Sequence, residues 1–179
     1  DIVKFQTFTI DELVTKNAPK ANYQSLTTGE DESQLDMLQK LTLSFEDFIK
    51  IKNYCLEKKI EFLTTSFGPI STDFISNLEL ERFKIPSGEI TNYPYLKRFG
   101  SYQKPIILST GMSDMQEIND ALSVLLSSGM SLEKITLLHC ISEYPTPLHH
   151  ANLLAIQTIK QQFNTKVGFS DHTLGCEAS

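Results

Sequence analysis

Six short runs rich in β-branched and aromatic residues recur along the chain, at Ile2 to Phe8, Ile60 to Phe67, Phe83 to Pro86, Pro105 to Ser109, Ile135 to Cys140 and Lys166 to Phe169. Each reads as a strand. Between them lie apolar residues at helical spacing: Phe45, Phe48, Ile49, Cys55 and Leu56, then Met115, Ile118, Leu122, Leu125 and Leu126, then Leu153, Ile156, Ile159 and Phe163. Each stripe predicts the buried face of a helix. A chain that alternates strand and helix is expected to be α/β, with a parallel sheet either doubly wound or closed as an eight-unit barrel. Periodicity leaves those two open.

Local signals agree with this alternation. Ser44 precedes Asp47, and Ser113 precedes Gln116, in capping-box-like spacing, while Gly129 sits where a helix would end. The irregular stretch is Thr9 to Leu43, which contains Pro19, Gly29 and the acidic run Glu30-Asp31-Glu32. Following a strand of a parallel βα fold, it falls at the C-terminal face, where active sites are built. It reads as an active-site loop with a small helix near Ser33 to Lys40, or else as a surface insertion.

A chain of 179 residues with 40% apolar content can bury a core, and the length suggests one domain. The 22 acidic and 16 basic side chains give a formal charge of −6. General attraction to nucleic acid or an anionic membrane is therefore not expected, and an anionic substrate must be held by a local cluster of donors. No apolar run approaches the roughly 20 residues of a membrane span, and no signal-peptide pattern opens the chain, so a soluble protein is expected. Cys55, Cys140 and Cys176 are odd in number and widely spaced. That suits reduced thiols in the cytoplasm. The chain opens in what reads as a strand and stops at what reads as the start of a helix, so both ends are expected to fall within a domain.

Polar residues gather where each strand ends: Lys4 and Gln6, Thr64 and Thr65, Lys84 with Ser87 and Glu89, Ser109, Ser142 and Tyr144, and Asp171 with His172. Lysine in an apolar strand is costly to bury alone, so Lys4 and Lys84 call for an anion, either a bound phosphate or carboxylate or an internal partner such as Glu89 or Asp171. Hydroxyls at Thr65, Ser87 and Ser109 can donate to phosphate oxygens, and Gly88 and Gly111 would let backbone amides approach. A single such hydroxyl more often caps a helix, as Ser113 is expected to do. His172 offers an imidazole suited to a divalent ion, although a lone strand-end histidine serves equally as a hydrogen-bonded structural residue until a second ligand is found. His139 falls within a strand and reads as a satisfied core residue, and His149 and His150 read as solvated.

The stretches K-I-P-S-G-E-I-T-N-Y-P, K-P-I-I-L-S-T-G-M, L-L-H-C-I-S-E-Y-P-T-P and V-G-F-S-D-H-T-L-G, with V-K-F-Q-T-F and E-S-Q-L-D-M-L-Q-K-L, strongly resemble the N-acetylneuraminate (sialic acid) synthase family, which includes legionaminic and pseudaminic acid synthases. The resemblance covers nearly the whole chain. It implies an incomplete (β/α)₈ TIM barrel in which the visible strands are the second to seventh. The first and last strands and a C-terminal antifreeze-like domain would lie outside this sequence. The implied activity is condensation of phosphoenolpyruvate with N-acetylmannosamine or a related N-acylated amino sugar and water, giving a nonulosonic acid and phosphate, in a cytoplasmic homodimer. A divalent ion, commonly Mn²⁺ with Mg²⁺ or Co²⁺ as alternatives, would polarise the sugar aldehyde.

Position by position, the resemblance makes Lys84, Ser87, Thr65 and Ser109 the phosphoenolpyruvate set, with Lys4 near its charged groups and Ser142 at a further phosphate contact. Gln6 and Tyr144 match sugar-binding positions, and Asp171 would orient the site or the sugar. Glu89 matches a proton-handling carboxylate and His172 one of two metal histidines. Departures are Thr65-Ser66-Phe67 where T-P-F is common, Ser142 where an amide or another hydroxyl often stands, and His149-His150-Ala151 in place of a usually acidic stretch. Two rival readings are a Schiff-base aldolase using Lys84 or Lys4 on pyruvate, and a barrel that only binds sugars.

Overall fold

The computed structural model describes residues 1–21, 24 and 32–179. Gly29, Glu30 and Asp31 therefore lie outside the described residues, while Glu32 is ion-paired with Lys40. The chain divides into two compact units, Asp1–Leu80 and Glu81–Ser179.

In the first unit, β1 (Ile2–Phe8) pairs in parallel with β2 (Glu61–Phe67), from Ile2 opposite Glu61 to Phe8 opposite Phe67. The connection carries α1 (Ile10–Leu13), α2 (Gln34–Leu41) and α3 (Phe45–Glu57), and α4 (Pro69–Ser76) follows β2. The small helix expected near Ser33 to Lys40 is α2, closed by a Ser33–Asp36 capping box. Ser44 caps α3 as its spacing predicts, accepting from the Asp47 amide. Phe5 stacks on Phe62 at 5.4 Å and meets Phe48 edge-on at 6.5 Å, which ties β1 and β2 to α3. The expected α3 stripe is narrower than five residues: Phe48 and Cys55 are buried, whereas Ile49 and Leu56 are exposed, because only part of the helix meets the sheet.

Glu12 of α1 ties the loops after the two strands together. Its carboxylate accepts from Thr9 Oγ1 at 2.9 Å, from the Ile70 amide at 2.8 Å and from the Ser71 amide at 3.4 Å, satisfying donors at the start of α4. The same contact explains Gly68, whose φ is +86° and where a Cβ would fall 2.6 Å from the Glu12 carboxyl carbon.

The second unit is a four-stranded parallel sheet in the order β3 (Phe83–Ile85), β4 (Ile106–Ser109), β5 (Ile135–Cys140), β6 (Lys166–Ser170). Helices α5 (Tyr93–Ser101), α6 (Met115–Ser127) and α7 (Leu154–Phe163) make the crossovers. The six expected strands thus all form within a residue of their predicted bounds and all pair in parallel, but as a two-stranded and a four-stranded sheet rather than one continuous wall.

One face of the larger sheet holds Phe83, Ile85, Ile106, Leu108, Ile135 and Leu137, each 2% exposed or less. Phe83 meets Phe99 of α5 at 4.9 Å, and α7 packs on β5 and β6. Because side chains alternate along a strand, the opposite face carries Lys84, Ser109, Cys140 and Ser170. In α6, Ile118, Leu122 and Leu125 are buried but Met115 and Leu126 are exposed, and of the α7 stripe Ile159 is buried while Leu153 precedes the helix and is exposed. The N-cap of α6 is Asp114, which forms a capping box with Glu117, so Ser113 is not the cap. An aspartate one residue later accepts from the N3 amide and adds a favourable charge at the helix start. Gly129 follows α6 with φ +94°, as its position predicts.

Candidate active site

In the first unit the register places Lys4, Gln6 and Thr65 on one face, with Lys4 opposite Leu63 and Gln6 opposite Thr65. Lys4 and Gln6 are exposed. The expectation that Lys4 is buried in an apolar strand is therefore corrected: it stands exposed on β1, although Leu63 and Thr65, which share its face on β2, are 4% and 1% exposed. Desolvation by the surrounding protein still lowers the Lys4 ammonium from the ordinary lysine value.

The hydroxyls of β2 divide by role. Thr64 Oγ1 bonds Thr7 Oγ1 at 2.8 Å and Ser66 Oγ bonds Thr72 Oγ1 at 2.9 Å, so both are internal structural contacts. Thr65 is 1% exposed and its Oγ1 has no hydrogen-bond partner among the described residues. A buried hydroxyl without a partner is costly, which sets Thr65 apart from the other two.

In the second unit Lys84 opposes Ile107 and reaches along the same face to the end of β4. Its ammonium donates to Ser109 Oγ at 2.6 Å and to the Ile85 carbonyl at 2.7 Å, with the residue 7% exposed. Ser87 begins a 3₁₀ turn (Ser87–Glu89). Its Oγ accepts from the Gly111 amide at 2.9 Å and lies 3.3 Å from Cys140 Sγ. A Cβ on Gly111 would sit 2.5 Å from Ser142 Oγ and 3.0 Å from both Ser87 Oγ and Cys140 Sγ. Ser87 after β3, Cys140 at the end of β5 and Ser142 just beyond it thus meet around Gly111, which follows β4. Glu89 is part-exposed, and its carboxylate accepts from Asn92 Nδ2 at 2.7 Å.

The segment after β6 lies along the segment after β5. Thr146 N donates to the His172 carbonyl at 2.8 Å, and Thr146 bridges Thr173 in parallel. His172 Nδ1 is 2.6 Å from the Ile141 carbonyl, so in the neutral ring Nδ1 carries the hydrogen and Nε2 keeps its lone pair. Ser170 Oγ lies 3.3 Å from Nε2, and the Tyr144 ring packs on the imidazole at 4.4 Å. A backbone carbonyl fixing Nδ1–H is the usual support of an imidazole that ligates through Nε2, so His172 fits a divalent ion. Among the described residues no group of three or more His, Cys, Asp or Glu gathers as a cation site. Strand β6 ends before Asp171, whose carboxylate turns back to accept from the Ser179 hydroxyl at 2.5 Å and the Thr173 amide at 2.8 Å. Those two bonds, the first the larger, hold its pKa below the ordinary aspartate value.

His139 is buried and bonded through Nε2 to the Ala151 carbonyl at 2.8 Å, the satisfied core residue its strand position predicts. His149 and His150 are exposed as expected, and His150 Nδ1 also lies 2.9 Å from Glu143 Oε2. Sequence reasoning left Cys140 out of the site. The signal was its place two residues beyond Leu138, on the face that carries Ser109.

No helix among the described residues is long and apolar enough to cross a membrane. The chain is 48% identical over 179 residues to N,N'-diacetyllegionaminic acid synthase of Campylobacter jejuni, covering 100% of this chain and 54% of that protein. It is 46% identical over 177 residues to the protein of the same name from Legionella pneumophila, covering 98% and 50%. The chain spans about half the length of these curated relatives. Among solved structures, the N-acetylneuraminic acid synthetase of Leptospira borgpetersenii in complex with citrate superposes with a TM-score of 0.83 at 27% identity, covering 98% of this chain and 56% of that one. The profile of the NeuB family matches residues 1–179, and the chain belongs to the NeuB family.

Proposed function

We propose that the chain is part of the catalytic domain of a synthase that joins phosphoenolpyruvate to an N-acylated amino sugar. The observation that carries this reading is the strand-end cluster of Lys84, Ser109, Ser87 and Gly111: a buried ammonium, two hydroxyls and a glycine amide at the C-terminal ends of parallel strands. The two relatives named for N,N'-diacetyllegionaminic acid synthesis favour a diacetamido sugar as acceptor. The strands read as the second to seventh of a (β/α)₈ barrel completed, with an antifreeze-like domain, by sequence outside this chain. The full-length protein is proposed to be a cytoplasmic homodimer.

In this reading Lys84, Ser87 and Ser109 bind the charged groups of phosphoenolpyruvate, with Ser142 a further donor, and the family resemblance also assigns Thr65, and Lys4 for its positive charge, to phosphoenolpyruvate. Gln6 and Tyr144 contact the sugar, and Asp171 orients the site. The phosphoenolpyruvate methylene carbon bonds to the aldehyde carbon, whose oxygen takes a proton. Water then adds to the resulting oxocarbenium carbon, Glu89 accepting its proton, and the carbon–oxygen bond to phosphate breaks. His172 would hold a divalent ion, Mn²⁺ or alternatively Mg²⁺ or Co²⁺. When bound, the ion supplies Lewis-acid polarisation of the aldehyde.

The test is phosphate release by the full-length protein with phosphoenolpyruvate and Mn²⁺, assayed against N-acetylmannosamine and the diacetamido-trideoxy hexoses. Release that requires an amino sugar, fastest with the diacetamido precursor of legionaminic acid, is expected. Borohydride trapping of pyruvate on Lys84 or Lys4, without phosphate chemistry, would instead establish a Schiff-base lyase. Sugar binding with neither activity would establish a non-catalytic barrel.

A further inference from the structure

Cys140 lies at the end of β5 on the face that carries Ser109 and Ser170, and it is 5% exposed. A buried cysteine ordinarily serves as a small apolar residue, and Cys55 fits that description on the packed side of α3. Cys140 differs because its sulfur faces a hydroxyl. Ser87 Oγ lies 3.3 Å away and accepts from the Gly111 amide at 2.9 Å. The packing is tight enough to exclude any side chain at Gly111, whose added Cβ would stand 3.0 Å from both the sulfur and the Ser87 oxygen.

Resting on the phosphoenolpyruvate reading above, we infer that Cys140 is a positioning residue, its thiol holding the Ser87 hydroxyl in the orientation that donates to the bound anion. A serine hydroxyl has one hydrogen to donate and two lone pairs to accept with. The Gly111 amide fills one lone pair. When the Cys140 S–H fills the other, the remaining capacity of Ser87 is its own O–H, which then points at the ligand. With the opposite arrangement, O–H toward sulfur, Ser87 presents a lone pair to an anion and repels it. A bound phosphate or carboxylate therefore selects the arrangement in which the thiol donates. Loss of the thiol leaves the hydroxyl free to rotate.

The experiment is calorimetric binding of phosphoenolpyruvate to the full-length enzyme, with urea unfolding of each variant alongside. Cys140→Ala is expected to raise Kd about five-fold, the scale of one modest hydrogen bond. Cys140→Ser, which keeps a donor, is expected to stay within about two-fold of wild type. In a Ser87→Ala background, Cys140→Ala should add less than about two-fold, because the group it positions is gone. An equal loss in both backgrounds would show that Cys140 acts through packing and would overturn the inference, as would an unchanged Kd for Cys140→Ala. Should Cys140→Ala fail to fold, Cys140→Ser decides: a five-fold or greater loss in that variant overturns the inference. Failure of the wild-type enzyme to bind phosphoenolpyruvate would overturn the functional reading, and this inference with it.

Discussion

Replacing Lys84 with alanine in the full-length enzyme is expected to weaken phosphoenolpyruvate binding by about 2 kcal/mol or more, roughly a 30-fold rise in Kd. Lys84 is buried at the centre of a three-residue strand, and its ammonium already donates to Ser109 Oγ and the Ile85 carbonyl. Both acceptors are neutral oxygens that fix where the charge sits. A phosphate oxygen beside Ser109 would gain a charge-assisted bond in a site from which water is largely excluded, and alanine removes that bond together with the charge. Lys84→Arg is expected to recover little, since a planar guanidinium cannot reproduce a compact ammonium between these two oxygens. Titration calorimetry reads both variants, and a Kd within about two-fold of wild type for Lys84→Ala would remove Lys84 from the anion site.

His172→Ala is expected to lower Mn²⁺-dependent turnover at least about 100-fold and to leave the fold intact. Two features carry this. The Ile141 carbonyl holds Nδ1–H at 2.6 Å and so presents the Nε2 lone pair. His172 is only part-buried, so truncation creates no large core cavity. The structural alternative is that His172 merely ties the segment after β6 to the one after β5, since its carbonyl accepts from Thr146 N. That contact is made by the backbone and survives the substitution. Mn²⁺ binding followed by electron paramagnetic resonance separates the cases: loss of tight binding with an unchanged unfolding midpoint supports ligation, and unchanged binding refutes it.

The fold was largely legible because period-2 runs bounded by turns, separated by 3.6-period stripes, leave few options. Strand β2 was readable although its centre is Thr64-Thr65-Ser66, since flanking Phe62 and Phe67 with two β-branched threonines still favour extended backbone. What misled was the width of helical stripes. Ile49, Leu56, Met115 and Leu126 keep the period yet are exposed, because a helix covering one sheet face buries a narrower strip than its apolar residues mark. At the site, the pairing of Lys84 with Ser109 is implied by strand-end position, but Lys4 was misjudged: alternation shows which residues share a face, and burial depends on what covers that face. Cys140 went unread because a thiol in an apolar strand looks like core until its neighbour across the sheet is known to be a hydroxyl.

In the proposed reaction phosphoenolpyruvate is consumed by carbon–oxygen bond cleavage during condensation with an amino sugar. Turnover of phosphoenolpyruvate carrying ¹⁸O at the bridging position distinguishes this from phosphorus–oxygen cleavage, with the released phosphate analysed by mass spectrometry. Phosphate retaining the bridging label, formed only when amino sugar is present, is the predicted result. Unlabelled phosphate, with the label left on the carbon product, would mean phosphorus–oxygen cleavage and would rule out this reaction.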